Sequence, residues 1–133
     1  MLSVATLLTS ALVTTAHAAS GEEIYKGKTV TVVIGYTAGG GYDIYGRLVA
    51  RHMGKHLPGK PNIIAQNMPG AGSVKSLEYI ISMAPKDGLV FATFGRTLAL
   101  SPLIEGAKYD VSNVQWIGSV AADTSACIAW SDA

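Results

Sequence analysis

Short apolar runs alternate along the chain with glycine-rich segments and with longer amphipathic stretches. Residues 29–34 (TVTVVI) are an unbroken apolar and β-branched run, as expected for a strand that is covered on both faces. Glycines follow at residues 35 and 39–41. Apolar residues then recur at helical spacing over residues 42–56, which predicts an amphipathic helix.

The same pattern continues through the rest of the chain. Further strands are predicted at residues 62–66, 89–94, 115–120 and 126–130, and further helices at residues 73–83 and 97–104. Residues 20–28 form a polar lead-in, Ser73 is expected to cap its helix, and Trp116 and Trp130 are expected in the core. The order β-α-β-α-β-α-β-β predicts an α/β fold with a mostly parallel sheet and flanking helices.

Three strand-to-helix connections are candidates for a ligand site. They are the first loop (residues 36–43), the second loop (residues 67–73) and the third loop (residues 95–97). Right-handed crossovers place all three at one edge of a parallel sheet, where ligands of open α/β folds bind. Their glycines allow a ligand to approach the backbone, although each glycine is equally consistent with a tight turn alone.

The amides at such an edge favour an anion, because helix N-termini present unpaired N–H groups. Arg96 is a cation in the third loop and either grips a carboxylate or is a solvated surface residue. Asp43 lies in the first helical turn, where a carboxylate is favourable, and is expected to order the first loop. A dinucleotide fingerprint fails because Ile44 occupies the place of its third glycine, and no Lys-Ser or Lys-Thr completes a P-loop.

Composition narrows the range of functions. The 133 residues suffice for one domain, and a formal charge of +1 with scattered basic residues argues against a nucleic-acid partner. The single cysteine, Cys127, excludes an intrachain disulfide and is expected to be a buried small hydrophobe. We find no metal-ligand spacing and no nucleophile–base pair, so the sequence indicates no catalytic residue, metal or cofactor.

The N-terminal segment has the pattern of a secretory signal peptide. Residues 2–16 are apolar and small, and residues 16–18 (AHA) form an A-x-A cleavage site. A membrane anchor is the weaker interpretation, because the run is shorter than the roughly 20 residues that a spanning helix needs. We therefore predict a signal peptide at residues 1–18 and one α/β lobe at residues 19–133.

Four motifs together resemble a known family, the tripartite tricarboxylate transporter substrate-binding proteins, also called the Bug family. Residues 32–43 (VVIGYTAGGGYD) resemble its V-V-P-F-x-x-G-G-x-x-D signature, and residues 67–72 (NMPGAG) resemble its N-x-P-G-A-G motif. Residues 85–88 (PKDG) are similar to its P-x-D-G-Y turn, and residues 109–110 (YD) to its Y-D-P element. Each motif alone is weak, whereas their shared order and spacing are specific.

The resemblance implies a periplasmic receptor of two α/β lobes, similar to type II periplasmic binding proteins, that captures a small organic carboxylate and delivers it to the membrane permease subunits of the transporter. It implies no enzymatic activity. By position, the ligand-binding residues would be Tyr36, Thr37, Ala38, Gly39, Gly40, Gly41, Asp43, Gly95, Arg96 and Thr97. The resemblance does not name the carboxylate.

The chain also departs from the family pattern. Gly35 and Tyr36 replace the usual Pro-Phe, and Arg96 stands where a small residue is common. Family members are more than twice as long, so this chain is expected to be an N-terminal lobe that is truncated before the second lobe. Two alternatives stay open: a non-transporting remnant, interaction or sensor module, and a small α/β enzyme that binds a phosphorylated substrate.

Overall fold

The computed structural model describes residues 20–104 and 108–122, and these fold around a parallel three-stranded sheet. Strands β1 (Thr29–Ile34), β2 (Asn62–Asn67) and β3 (Val90–Thr93) lie in the order β2-β1-β3. Helix α2 (Gly41–Met53) connects β1 to β2, and helix α3 (Val74–Ser82) connects β2 to β3. The predicted α/β class with a parallel sheet and flanking helices is confirmed.

The central strand β1 is the most buried element, as its sequence predicts. Val30, Val32, Val33 and Ile34 are each at most 1% exposed, because strands flank both edges of β1 and α2 packs over Val32 and Ile34 on one face. Burying such branched side chains stabilises the fold by roughly 1.5–3 kcal/mol each. The register aligns Ile34 with Asn67 of β2 and with Thr93 of β3, so all three strands end at the same level.

Helix α2 ends three residues earlier than predicted, and its buried face differs from the expected one. A 3₁₀ turn at Gly54–His56 continues it. Ile44 and Leu48 belong to the apolar repeat but are 61% and 44% exposed, whereas Gly46 and Ala50 are buried. The inner face is made of small residues because a Cβ on Gly46 would lie 2.8 Å from Ile34 Cγ1. The helix therefore approaches the sheet too closely for large side chains there.

The polar lead-in contains a helix that the prediction missed, α1 (Gly21–Tyr25). Its N-cap, Ser20, accepts from the Glu23 amide, and the Glu23 carboxylate accepts from the Ser20 amide at 2.7 Å. This reciprocal pair is a capping box, which the spacing S-x-x-E predicts. The signal was in the sequence, but the segment lacks the apolar repeat on which helix prediction relied.

Beyond β3 the structure departs further from the predicted elements. The expected helix over residues 97–104 divides into a 3₁₀ turn (Arg96–Ala99) and a short helix α4 (Ser101–Ile104). The strand predicted at residues 115–120 is wrong: the segment is irregular, and Ile117 is 79% exposed because no neighbouring strand pairs with it in the described structure. The strand predicted at residues 126–130, with Cys127 and Trp130, lies outside the described residues.

Trp116 was expected in the core and is instead 48% exposed. Its ring meets Phe94 edge-on, with the ring centroids 6.2 Å apart. Since the surrounding segment forms no strand, the indole covers one side of Phe94 rather than filling the interior. Within residues 20–104 and 108–122, no helix combines the length and the apolar character needed to cross a bilayer.

Candidate functional site

The first, second and third loops converge at one edge of the sheet, as the parallel topology requires. The ends of β1, β2 and β3 are level, and the loops continue from Ile34, Asn67 and Thr93. The backbone of the second loop begins with a hydrogen bond from the Met68 amide to the Ile34 carbonyl at 2.7 Å. The sequence prediction that these loops share an edge is confirmed for the described structure.

Asp43 organises the first loop from within α2. Its Oδ2 accepts the Gly39 amide at 2.9 Å, which fixes the loop against the first helical turn. Gly39 adopts φ +88°, a conformation that side chains other than glycine rarely allow. The sequence-based expectation that Asp43 orders the glycine loop therefore agrees with the geometry.

Arg47 and Asn67 complete a polar cluster around Asp43 that sequence reasoning missed. The Arg47 Nε donates to both carboxylate oxygens at 2.9 and 3.0 Å, and its second amino group donates to the Asn67 side-chain oxygen at 2.7 Å. The Asn67 amide nitrogen donates to Asp43 Oδ1 at 2.7 Å and to the Tyr36 carbonyl at 2.9 Å. The second loop is thus tied to the first through side chains.

The cluster determines the charge state of Asp43. Hydrogen bonds from Arg47, from the Gly39 amide and from Asn67, in that order of importance, lower the pKa of Asp43 from its usual 3.8 to about 2. The i,i+4 spacing of Asp43 and Arg47 was a signal for the ion pair that the sequence analysis did not use. The Asp43 carboxylate is therefore ionised and already compensated by a cation.

Tyr36 links the first loop to the other two. Its ring stacks on Tyr42 with the centroids 4.2 Å apart and the planes 9° from parallel. Its hydroxyl approaches the Gly72 carbonyl at 3.5 Å and lies 2.5 Å from where a Cβ on Gly95 would stand. Gly95 therefore makes room for the tyrosine hydroxyl, which accounts for a glycine there without invoking a ligand.

Ser73 joins the second loop to the third. Its Oγ accepts the Gly95 amide at 2.9 Å in a buried position. Ser73 precedes α3 as predicted, but its side chain makes no capping hydrogen bond, so that part of the prediction is wrong. Its backbone has φ +77°, which turns the side chain away from the helix N-terminus and toward Gly95.

The glycines of the first loop differ in what surrounds them. A Cβ on Gly40 would find its nearest atom 3.8 Å away, and a Cβ on Gly41 would meet nothing within 4 Å. Gly40 has an ordinary extended backbone, with φ −81° and ψ 169°. By contrast, a Cβ on Gly35 would collide with Ser73 Cβ at 2.4 Å. Packing explains Gly35, whereas packing within the described structure does not explain Gly40 and Gly41.

The remaining candidate residues lie at the surface of the same edge. Thr37, Ala38 and the three glycines Gly39, Gly40 and Gly41 are exposed. Arg96 and Thr97 are exposed at the beginning of the 3₁₀ turn that follows β3. Among the described residues, no group of three or more His, Cys, Asp or Glu side chains has an arrangement that could hold a metal ion.

Comparison with known proteins gives one informative match. A curated protein of Cupriavidus necator, described as "UPF0065 protein in gbd 5'region", is 36% identical to this chain over 95 residues. The alignment covers 71% of this chain and 28% of that protein, so the chain spans less than a third of its relative's length. No family model matches the chain, and no solved structure matches it significantly. The relative is consistent with the resemblance to the Bug family.

Proposed function

We propose that this chain is the N-terminal lobe of a periplasmic solute-binding protein that captures a small organic carboxylate for a tripartite tricarboxylate-type transporter. Residues 1–18 would direct its export, residues 19–133 would form the lobe, and the permease subunits would receive the loaded receptor. The protein would bind its ligand without transforming it. Support comes from the loop geometry, from the four motifs and from the UPF0065 relative.

The open surroundings of Gly40 and Gly41 are the observation that carries the proposal. A glycine in a structured segment destabilises the fold by roughly 0.5–1 kcal/mol relative to alanine, because it loses more conformational freedom on folding. Gly40 has no neighbouring atom within 3.8 Å of a Cβ position and no left-handed backbone to require it. The missing side chains leave space at the surface for a group that belongs to another molecule.

The electrostatics of the same place favour an anion. Gly40 is the N-cap of α2 and provides no side-chain cap, so the first amides of the helix are directed toward the loop. The partial positive charge of a helix N-terminus stabilises a nearby anion. Asp43 does not oppose this, because Arg47 and Asn67 bind its carboxylate.

Some amides of the loops donate to side chains of the protein itself, and others are left for a ligand. The Gly39 amide donates to Asp43, and the Gly95 amide donates to Ser73, so the protein itself uses both. We assign the ligand carboxylate to the amides of Gly40 and Gly41, with Tyr36, Thr37 and Ala38 beside it. Arg96 and Thr97, exposed on the third loop, would contact the far side of the ligand.

The test is ligand binding by the full-length protein with Gly40→Val. We expect isothermal titration against malate, benzoate and glutamate to give binding of at least one of them to the unmodified protein and none to the variant. The fold should tolerate the change, since the position is open. Gly118→Val is the matched control, because nothing lies within 4 Å of that Cβ position either. Micromolar binding retained by Gly40→Val would refute the site.

A second candidate function is a protein-interaction module without a transport role. The adjacent residues Leu103 and Ile104 are 84% and 75% exposed, and Ile117 is 79% exposed, so large apolar side chains are available at the surface for a partner. Analytical ultracentrifugation of the full-length protein separates the two possibilities. Concentration-dependent association without any carboxylate binding would favour the interaction module.

A further inference from the structure

A basic groove lies at the edge of the sheet opposite the three loops. It has a volume of about 400 Å³ and is formed where the C-terminal end of α2 faces the beginning of β2. Arg51, Lys55 and Lys60 line it, together with Asn62 and the apolar side chains of Ala50 and Ile63. None of its lining residues is acidic. The groove therefore combines three cations with an apolar floor.

Local structure explains how the three cations meet. Arg51 and Lys55 are four residues apart and share one side of the helix and its 3₁₀ continuation. A Cβ on Gly54 would lie 3.0 Å from the Pro61 carbonyl oxygen, so this glycine lets the helix end come close to the start of β2. Lys60 is thereby brought opposite the two helical cations. Like charges at such spacing repel and destabilise the isolated protein.

Lys60 has a strained backbone conformation, and its exposed side chain gives no structural reason for that strain. It has φ +46°, the left-handed region that glycine or asparagine occupies more easily. Lys60 also precedes Pro61, and the proline ring restricts the preceding residue toward extended conformations. Residues held in such conformations destabilise a fold by about 1–3 kcal/mol and concentrate at functional sites.

A structural role accounts for only part of the cluster. Arg51 lies in the last turn of α2, where a cation interacts favourably with the helix dipole. This explanation does not extend to Lys60, which precedes β2 and is held in a strained conformation. The lining also lacks a carboxylate that would neutralise the three charges.

From these observations we propose that the groove binds a small molecule that carries two or three anionic groups, either carboxylates or phosphates. Its volume lies within the range of small-ligand sites, and its apolar floor accepts the carbon skeleton between the charged groups. This site is separate from the loop edge, because the six residues of β1 span about 20 Å between the two ends of the sheet. It does not depend on the function proposed for the loops.

The experiment uses the full-length protein with inorganic tripolyphosphate and citrate as probes, titrated by calorimetry at low and at high salt. Tighter tripolyphosphate binding would identify a phosphate ligand, and tighter citrate binding a polycarboxylate ligand. We expect Lys60→Asn and Lys55→Gln each to weaken the preferred probe about threefold to fivefold, as for exposed charge pairs. High salt should weaken binding to the unmodified protein.

Two controls separate this site from others. Asparagine tolerates the left-handed backbone, so Lys60→Asn should retain or raise the melting temperature while it weakens binding. Lys75→Gln removes an exposed lysine outside the groove and should leave binding unchanged. The titrations are repeated in Gly40→Val, which removes carboxylate binding at the loops, so that the citrate signal that remains belongs to the groove. Absence of probe binding, or equal weakening by Lys75→Gln and Lys60→Asn, would overturn the proposal.

Discussion

Asn67 donates its side-chain amide to the Asp43 carboxylate at 2.7 Å and so fastens the end of β2 to the first turn of α2. The two residues are 24 positions apart in sequence, and no local motif connects them. The same amide also donates to the Tyr36 carbonyl at 2.9 Å, so Asn67 binds the backbone of the first loop as well. The exposed edge of the sheet is therefore held by side chains from two loops rather than by backbone pairing alone.

Replacement of Asn67 should loosen both loops. We expect Asn67→Ala to lower the free energy of unfolding by about 1–3 kcal/mol, because it leaves the Tyr36 carbonyl and part of the Asp43 and Arg47 groups without their partner. Urea denaturation measures the change. Gln66→Ala is the matched control, since Gln66 is the exposed neighbour on the same strand. Equal loss in both variants would contradict a specific role for Asn67.

Stability should fall in acid as Asp43 takes up a proton. Arg47 above all, with Gly39 and Asn67, lowers the pKa of Asp43 from 3.8 to about 2. A depressed folded pKa means that the unfolded chain binds the proton more readily, so the stabilisation is full above pH 4 and is lost as the pH falls toward 2. Melting temperatures recorded across this range test the relation.

Asp43→Asn provides the comparison for that pH dependence. The variant should be less stable than the unmodified protein at pH 7 and should show a shallower decline between pH 4 and 2, because no carboxylate remains to titrate there. Glu78→Gln, which removes an exposed carboxylate from α3, should keep the original slope. An unchanged slope in Asp43→Asn would show that other carboxylates govern the acid transition.

Gly46 sets the distance between α2 and the sheet. We expect Gly46→Ala to destabilise the fold by about 1–3 kcal/mol despite the better helix propensity of alanine, because the new methyl group overpacks the interface. It would stand 2.8 Å from Ile34 Cγ1 and 2.9 Å from Ile34 Cδ1. Thermal unfolding of Gly41→Ala, at an open position of the same helix, should show no loss.

The contact with Ile34 supplies an internal check. Ile34→Val removes the Cδ1 methyl group that the new alanine would touch, so it should recover part of the stability lost in Gly46→Ala. Alone, Ile34→Val should cost about 0.5–1.5 kcal/mol, as usual for a buried isoleucine. A double-mutant cycle with no coupling between the two positions would refute the proposed clash.

Some of this architecture follows from sequence and some does not. The apolar run of β1 predicts a buried parallel strand, and the glycines after it predict a loop at the carboxyl end of that strand. Both predictions succeed because strand burial and turn formation depend on local residue types. The cluster around Asp43 depends on Asn67, and the register that brings the two together exists only after β1 and β2 have paired. Local periodicity carries no information about that pairing.

The wrong predictions have the same origin. An apolar run such as residues 115–120 forms a strand only where it pairs with the edge of a sheet, and in the described structure it pairs with neither β2 nor β3. The apolar repeat of α2 predicts that Ile44 and Leu48 are buried. Because the helix approaches the sheet closely at Gly46, a face of small residues is buried instead. The three cations of the basic groove lie within ten residues of sequence, but Lys60 is brought to the two helical cations only by the turn that follows α2.

Ser73 should control the order of the third loop. Its Oγ is the acceptor for the buried Gly95 amide at 2.9 Å, and Ser73→Ala would leave that amide without this partner. We expect the variant to lose about 1–3 kcal/mol of stability, the usual effect of an unsatisfied buried donor. Hydrogen exchange at Gly95 should accelerate more than at Leu98, whose amide bonds to the Gly95 carbonyl.

Ser73→Gly would relax the backbone at φ +77° but still remove the acceptor, so it should also expose the Gly95 amide. Protection of Gly95 in both variants would show that packing around Tyr36, rather than the Ser73 hydroxyl, holds the third loop.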